Sequence, residues 1–486
     1  MLMGEMEDLI ELAKRRGFFW QSFSIYGGFS GLYDYGPLGS IIKERVYRAW
    51  KDIYMGLGAI EIDTPSLTPD PVLKASGHVD RFIDMAVACT QCRTRYKIES
   101  ILSDKGVDAV PQNVDEARKL MDGLDLKCTR CGGKLGEPFE HHLMFMIDSQ
   151  GERMYARPET AQGIFVNFRL LKNYNRDRLP MIVIQQGKGY RNEISPRQAI
   201  IRQKEFNMAE VEVFLDPDVN GAFTPTLQEE IHMHDMDGKD HFTTLPHALE
   251  KKIIKSADHA FFLQITYRFA MEIGMDRKRL RFRQHRKDEL AHYSSDCWDL
   301  EAKINDSWLE ITGISDRGTY DLSRHHEASG EKLYIDGTRF ARVIEPASGI
   351  DRIIASLLAS SMYKRESGYS VLKLKPEIAP YPVALLPLQK KDGLQEKAME
   401  IYGKLKILEP YAYYDDSGAI GRRYARQDEI GTPYCITVDY DTIEKDIVTI
   451  RERDSMEQIR EVSVDQILST KGFLNNPVLQ AFNVKK

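Results

Sequence analysis

The chain has 486 residues, 42% of them hydrophobic and 29% charged, the balance of a folded globular protein with room for several domains of roughly 100–200 residues each. A formal net charge of −6 excludes a global basic field that would advertise a nucleic-acid partner and leaves only a local patch open. The opening stretch MLMGEMEDLI is acidic where a secretory leader is basic and then apolar, and no later run reaches ~18 apolar residues, so a cytoplasmic protein with no membrane partner is expected.

The first predicted elements are an amphipathic helix from Ser40 into Tyr54 and a strand in AIEIDTPSL behind it. Four of the six cysteines follow as two tight pairs, Cys89 with Cys92 and Cys128 with Cys131. A two-residue spacer lets both thiolates of a pair reach one tetrahedral ion, and Gly132-Gly133 suits the turn of a knuckle. The pairs are further apart than in a usual zinc ribbon, with a polar helical stretch near Val114 to Leu120 between them. They read as a structural zinc site, with four reduced thiols as the alternative. Cys297 and Cys435 stand alone and read as packing residues.

From about Leu143 to Phe214 apolar runs alternate with charged motifs. Residues 220–302 turn polar and helix-like, which predicts a mainly helical insertion, and 87–140 forms a second insertion around the cysteines. Strand-like WLEITGI and RFARVIEP come next. In GIDRIIASLLASS, Ile350, Ile353, Ile354, Leu357 and Leu358 form one helical stripe. The proline-bearing run KLKPEIAPYP marks a linker, and the strand and helix patterns beyond it predict a small α/β domain over 376–486. The expected fold class is α+β, a body over 1–375 with two insertions and an α/β tail.

The segment YRNEISPRQAIIRQKEF, directly behind the strand-like MIVIQQ, carries the chemistry. Read as an antiparallel hairpin turning within SPRQAI, it puts Phe206, Met208, Glu210 and Glu212 on one face and Arg191 and Glu193 together on the facing strand. The expected register sets Glu193 across from Phe206, Arg191 from Met208 and Gly189 from Glu210. Phe206 to Glu210 then spans roughly 13 Å, about the length of an adenosine phosphate joined to a small amino acid. An arginine fork would hold a phosphate, an aromatic ring would stack a base, and a carboxylate would meet an ammonium. A solvated hairpin whose charges pair with one another explains the charges but not their order.

These residues resemble motif 2 of the class II aminoacyl-tRNA synthetases. RPETAQGIF, RNEISPR, EFNMAEVEVF, YDYGPLG and GRRYARQDEIGTP are together similar to the glycyl-tRNA synthetase family of the archaeal and eukaryotic homodimer type, over nearly the whole chain. The resemblance implies an antiparallel-sheet catalytic domain, a C-terminal anticodon-binding domain, and ATP with Mg²⁺, glycine and tRNA(Gly) as ligands. It implies Arg191 at the α-phosphate, Glu193 at the adenine amino group, Arg202 at the outer phosphates and Phe206 on the adenine face. Gly349 to Arg352 is similar to motif 3, which implies Arg352 at the γ-phosphate. A cation in the first turn of a helix opposes the helix dipole, and a nearby anion makes that placement favourable.

The helix from Ser40 resembles motif 1, which implies a homodimer with Pro65 at the interface. Glu159, Glu210 and Glu345 match the family's acidic glycine pocket. Where the family has EPS, this chain reads Glu345-Pro346-Ala347-Ser348, so either Ser348 takes over the missing hydroxyl contact or that contact is absent. In the tail, Arg422, Arg423, Arg426, Gln427 and Asp428 are expected to read unstacked anticodon bases. A synthetase for another amino acid would keep the ATP residues but not RPETAQG, and a non-catalytic relative would lose Arg191, Glu193, Phe206 or Arg352.

Overall fold

A nine-stranded sheet runs through the body in the order Asp240–Thr243, Ile231–His234, Leu280–Gln284, Asp296–Ile304, Ser307–Gly318, Arg342–Gly349, Glu205–Leu215, Met181–Tyr190 and Ile60–Glu61. The computed structural model describes residues 4–483 apart from positions 108, 195, 197 and 292. Neighbouring strands are antiparallel except at Ile231–His234 with Leu280–Gln284 and at Met181–Tyr190 with Ile60–Glu61.

Alternation along the strands divides the sheet into two unlike faces. Ala209, Val211 and Val213 enter the main core with Trp298 and Leu300, against Ile42, Val46 and Trp50 of helix Pro37–Gly56, Phe262 and Phe269 of Ala257–Glu272, and Ile353, Ile354 and Leu357 of Ile350–Ser361. Each large apolar side chain buried there contributes about 1.5–3 kcal/mol. Phe206, Met208, Glu210 and Glu212 alternate with these residues and turn to the other face. The helices Pro37–Gly56, Ala257–Glu272 and Ile350–Ser361 all pack on the first face, while Ala161–Val166 and Phe168–Tyr174 cover only the Phe214 end of the second, which leaves the rest of it for ligands.

Residues 220–302 depart from the expected helical insertion. They supply four strands of the main sheet, Ile231–His234, Asp240–Thr243, Leu280–Gln284 and Asp296–Ile304, beside the helices Leu245–Glu250 and Ala257–Glu272. The short strands conceal themselves because only alternate residues, such as Ile231 and Met233, are buried. In the long helix, Asp258, His259, Gln264 and Thr266 are buried too, which breaks the apolar stripe.

The cysteine-bearing segment forms a three-stranded sheet of Arg95–Lys97, Ile83–Ala88 and Phe139–His142 with helices Ile98–Ser103 and Val114–Met121 around its own small core. Asn113 caps the second helix by accepting from the Glu116 amide. Beyond the linker, the order Tyr413–Tyr414, Val383–Pro387, Tyr434–Val438, Ile447–Glu452 and Gln458–Ser463 makes a separate five-stranded sheet, with Leu385, Ile401, Ile436 and Ile450 in a core of its own. Among the described residues, no helix is long and apolar enough to cross a membrane.

Candidate active site

Strand register lays two rows of side chains on the open face of the sheet. In one, Glu210 lies beside Ala347, Ala347 beside Gly313 and Gly313 beside Asp299. In the other, Glu345 lies beside Ser315 and Ser315 beside Cys297, and the pairing of Val213 with Ile344 brings Glu212 next to Glu345. The rows floor a cavity of about 300 Å³ whose walls carry Glu159, Arg191, Glu193, Arg202, Phe206 and Arg352.

The hairpin register differs from the expected one. Gly189 lies across from Phe206, Gly187 from Met208 and Gln185 from Glu210, a shift of four residues, and Glu193 lies beyond the paired strands. The turn holds more chain than the sequence discloses, including a 3-10 turn at Ala199–Ile201. Arg191 still reaches the aromatic ring, because its guanidinium lies between Phe82 and Phe206, 5.1 and 5.4 Å from their centroids. Gly189 is required by this close approach: a Cβ there would stand 2.6 Å from the Phe206 ring.

Arg352 occupies the first turn of helix Ile350–Ser361, as expected, and its Nη1 donates to the Glu310 carbonyl at 3.0 Å and to the Glu310 carboxylate at 3.2 Å. The neighbouring Asp351 escaped the sequence reading. Its buried carboxylate accepts from the Tyr35 hydroxyl at 2.5 Å, Gln203 at 2.8 Å, and the backbone and side-chain nitrogens of Asn207 at 2.7 Å. One side chain thereby ties the helix start to the hairpin strand and to YDYGPLG. The missed signal was an acidic residue at a helix start inside an apolar stripe.

The deep end of the cavity is acidic. Arg317 lies under it, fully buried, donating to both Glu345 oxygens at 2.8 and 2.9 Å and to both Asp321 oxygens at 2.7 and 2.8 Å. Its guanidinium is 3.8 Å from the centroid of Tyr293. Glu159 accepts from Gln162 at 2.9 Å and lies 3.3 Å from His78. Burial opposes its charge, but His78 and Arg317 hold its carboxyl below the usual range. Glu210 accepts from the Thr160 amide at 2.6 Å and from the Thr160 hydroxyl. Burial, and then the charge of Glu159, push the Glu210 carboxyl up to about 7. Glu212 has no partner on either oxygen, and burial raises its carboxyl well above the usual range.

Ser348 is among the residues that line the cavity, but its hydroxyl is engaged on the core side. Alternation turns it to the face opposite Glu345, where it meets the Thr312 hydroxyl at 3.1 Å. The hydroxyl beside Glu345 belongs to Ser315 instead.

The cysteine pairs converge. Cys89 Sγ is 3.6 Å from Cys131 Sγ and Cys92 Sγ is 3.5 Å from Cys128 Sγ, and all four sulfurs lie within 4.8 Å of one another. Tetrahedral thiolates on zinc at ~2.3 Å stand roughly 3.8 Å apart, so the donor set fits that ion.

The tail residues need correction. Arg423, Gln427 and Asp428 are buried, so they are not placed to read bases. Arg423 donates to the Pro387 and Gly418 carbonyls, and Gln427 accepts from the Thr432 hydroxyl at 2.9 Å. Asp428 receives Arg451 at 2.8 and 2.9 Å and Arg365 at 3.2 Å. Arg426 is half-buried on Asp415 at 2.7 Å, which leaves Arg422 exposed. The helix Ile420–Ile430 uses its charges to dock, since Glu429 also receives Arg15 and Arg16 from the N-terminal helix Glu5–Arg16.

A mostly antiparallel sheet with a phenylalanine at the cavity, one arginine just past the end of a paired strand, a second in the first turn of a helix packed on the sheet, and a separate α/β tail defines a class II aminoacyl-tRNA synthetase. The fold is shared with the Giardia lamblia prolyl-tRNA synthetase solved with prolyl-adenylate, at a TM-score of 0.61 and 14% identity over 99% of this chain and 80% of that one. It is shared too with the Cryptosporidium parvum prolyl-tRNA synthetase solved with halofuginone and AMPPNP, at a TM-score of 0.59 and 13% identity over 100% and 80%. Residues 382–470 match the anticodon binding domain family.

The chain is 37% identical to the glycine–tRNA ligase of Methanothrix thermoacetophila over 94% of this chain and 95% of that protein. It is 38% identical to that of Methanocaldococcus jannaschii over 95% and 97%. The chain belongs to the glycine–tRNA ligase family.

Proposed function

We infer that the protein activates glycine with ATP, forming glycyl-adenylate and pyrophosphate, and then passes glycine to the 3′ end of tRNA(Gly). The observation that carries this reading is the polarity of one cavity, with Arg191, Phe206 and Arg352 at one end and Glu159 and Glu210 at the other. In it, Phe206 stacks the adenine, Glu193 meets the adenine amino group, and Arg191 neutralises the α-phosphate as the glycine carboxylate attacks. Arg202 and Arg352 hold the outer phosphates. Mg²⁺ comes with ATP and spreads the phosphate charge. Glu310, on the cavity wall beside Arg352, is a hard oxygen donor that suits that ion.

Glycine offers no side chain to grip. Its ammonium is held between Glu210 and Glu159, with the Glu345 carboxyl beside them in a position fixed by Arg317. The small row of Ala347 and Gly313 beside Glu210 gives the substrate room without offering a polar contact. Zinc on Cys89, Cys92, Cys128 and Cys131 is structural, because four thiolates leave no open position for chemistry. The 376–486 tail binds the anticodon stem, with Arg422 among its contacts, and two chains pair through the motif 1 region around Pro65.

Charging of a tRNA(Gly) transcript tests the reading: glycine should be esterified to its 3′ end in the presence of ATP and Mg²⁺. No esterification of glycine, or equal esterification of alanine, would contradict it.

A further inference from the structure

We propose that Asp351 is the positioning residue of the ATP end of the cavity, and that Tyr35 of the YDYGPLG segment acts on ATP binding through it. The proposal rests on the aminoacylation reading above. Asp351 lies at the centre of a buried network whose members are sequence neighbours of the residues assigned to ATP. Gln203 follows Arg202, Asn207 follows Phe206, and Asp351 itself precedes Arg352. Gln203, Asn207 and Asp351 are almost closed to solvent and still border the cavity.

Each oxygen of the carboxylate takes two donors. Oδ1 accepts from the Tyr35 hydroxyl at 2.5 Å and the Asn207 side chain at 2.7 Å. Oδ2 accepts from the Gln203 side chain at 2.8 Å and the Asn207 backbone amide at 2.7 Å. An ionised carboxylate is an acceptor on both oxygens and meets four donors, whereas a protonated acid or an amide would turn a hydrogen towards one of them. Burial raises the Asp351 carboxyl above its ordinary value, and donation from Tyr35 and Asn207 opposes the rise. A charge so deeply buried is held by these bonds, and they in turn fix what they are attached to.

What they are attached to is the backbone of the ATP end. The bond from the Asn207 amide sets the strand immediately after the Phe206 ring. Gln203 also donates to the Ile200 carbonyl at 3.2 Å, which fixes the end of the hairpin turn that bears Arg202. Arg352 is tied to the same turn, its Nε donating to the Ile201 carbonyl at 3.3 Å. The glycine end is held by a separate set of partners, Thr160 on Glu210, Gln162 and His78 on Glu159, and Arg317 on Glu345. A fault at Asp351 therefore reaches one substrate and spares the other.

Tyr35 brings in the N-terminal segment. It ends the strand Tyr33–Tyr35, which pairs with Phe19–Gln21, and the helix Pro37–Gly56 begins two residues later. Gly39 accounts for the glycine that closes YDYGPLG, since a Cβ there would run into the Phe18 carbonyl oxygen. The segment reaches the hairpin turn twice more. The Gly31 carbonyl accepts from the Lys204 amide at 2.8 Å, and the Ser30 hydroxyl donates to the Pro196 carbonyl at 2.6 Å.

Glycine-dependent pyrophosphate exchange, titrated separately in ATP and in glycine beside a thermal melt of each variant, tests the proposal. Asp351→Asn should raise the ATP KM at least about tenfold more than the glycine KM, since small displacements of binding groups carry large kinetic costs. Tyr35→Phe deletes one donor and keeps the ring, and Gln203→Leu deletes another. Each should raise the ATP KM at least about threefold with the glycine KM unchanged and Tm near wild type. Equal rises in both KM values would overturn the proposal and leave Asp351 a purely structural residue. So would an ATP KM raised less than about threefold in both Tyr35→Phe and Gln203→Leu, whether or not Asp351→Asn folds. Failure of the wild-type protein to catalyse glycine-dependent exchange would instead remove the aminoacylation reading.

Discussion

Glu210 is the residue at which burial and function pull in opposite directions. With its carboxyl pushed up to about 7, it is largely neutral below that pH, and an ammonium ligand requires it charged. Glycine binding must therefore drive a proton off Glu210, so affinity rises with pH. The glycine KM of pyrophosphate exchange should fall as pH rises from 6 to 8, and Glu210→Gln should flatten that slope. The same variant should raise glycine KM by roughly 10- to 100-fold, the effect of losing one charge-assisted hydrogen bond of about 1.5–3 kcal/mol, with ATP KM little changed. At the other end of the cavity, Arg191→Ala should lower exchange at least about 100-fold while thermal unfolding stays near wild type. Its guanidinium rests on two rings and lies outside the core.

At the scale of elements, the cysteine module and the docked tail helix make opposite predictions about exposed and buried charge. Cys92→Ser with Cys131→Ser should abolish zinc retention and raise amide exchange through 83–142, while the nine-stranded sheet keeps its protection. Wild-type protein holding less than one zinc per chain after purification under reducing conditions would count against a structural metal. Asp428→Asn should cost about 3–5 kcal/mol, because it leaves Arg451 buried without its charge partner, and it should lower Tm. Arg422→Ala should leave Tm in place and weaken tRNA binding.

The helix Ile420–Ile430 also shows where sequence reasoning ran out. GRRYARQDEI looks like a solvated surface, and nothing local discloses that Asp428 and Glu429 meet Arg451, Arg365, Arg15 and Arg16 from distant parts of the chain. What was legible was placement carried by short contiguous motifs: the ring and arginine of the hairpin, the start of the helix at Arg352, and the cysteine pairs. Register was not legible, because the long turn between Tyr190 and Glu205 hides how far the strands slide. Nor was the place of Arg317, since an arginine in a strand becomes the keystone of an acidic pocket only when Glu345, Asp321 and Glu159 fold around it.

Across the whole molecule, the tail's separate core allows it to be removed, at a cost where it docks. Ending the chain after Pro376 strips Arg365 and the N-terminal helix of their carboxylate partners, so some loss of adenylation is expected. Charging of tRNA should fall far more, by at least about tenfold beyond the loss in exchange, if the tail holds the anticodon stem. Sedimentation of the intact protein should give twice the chain mass, and Pro65→Arg should shift it toward the monomer.

Glycine-dependent exchange of labelled pyrophosphate into ATP, run beside alanine and serine, tests the central claim most directly. Membership of the glycine–tRNA ligase family predicts rapid exchange with glycine and at least about 100-fold slower exchange with alanine and serine. Exchange that ignores glycine, or that proceeds equally well with alanine, would contradict it.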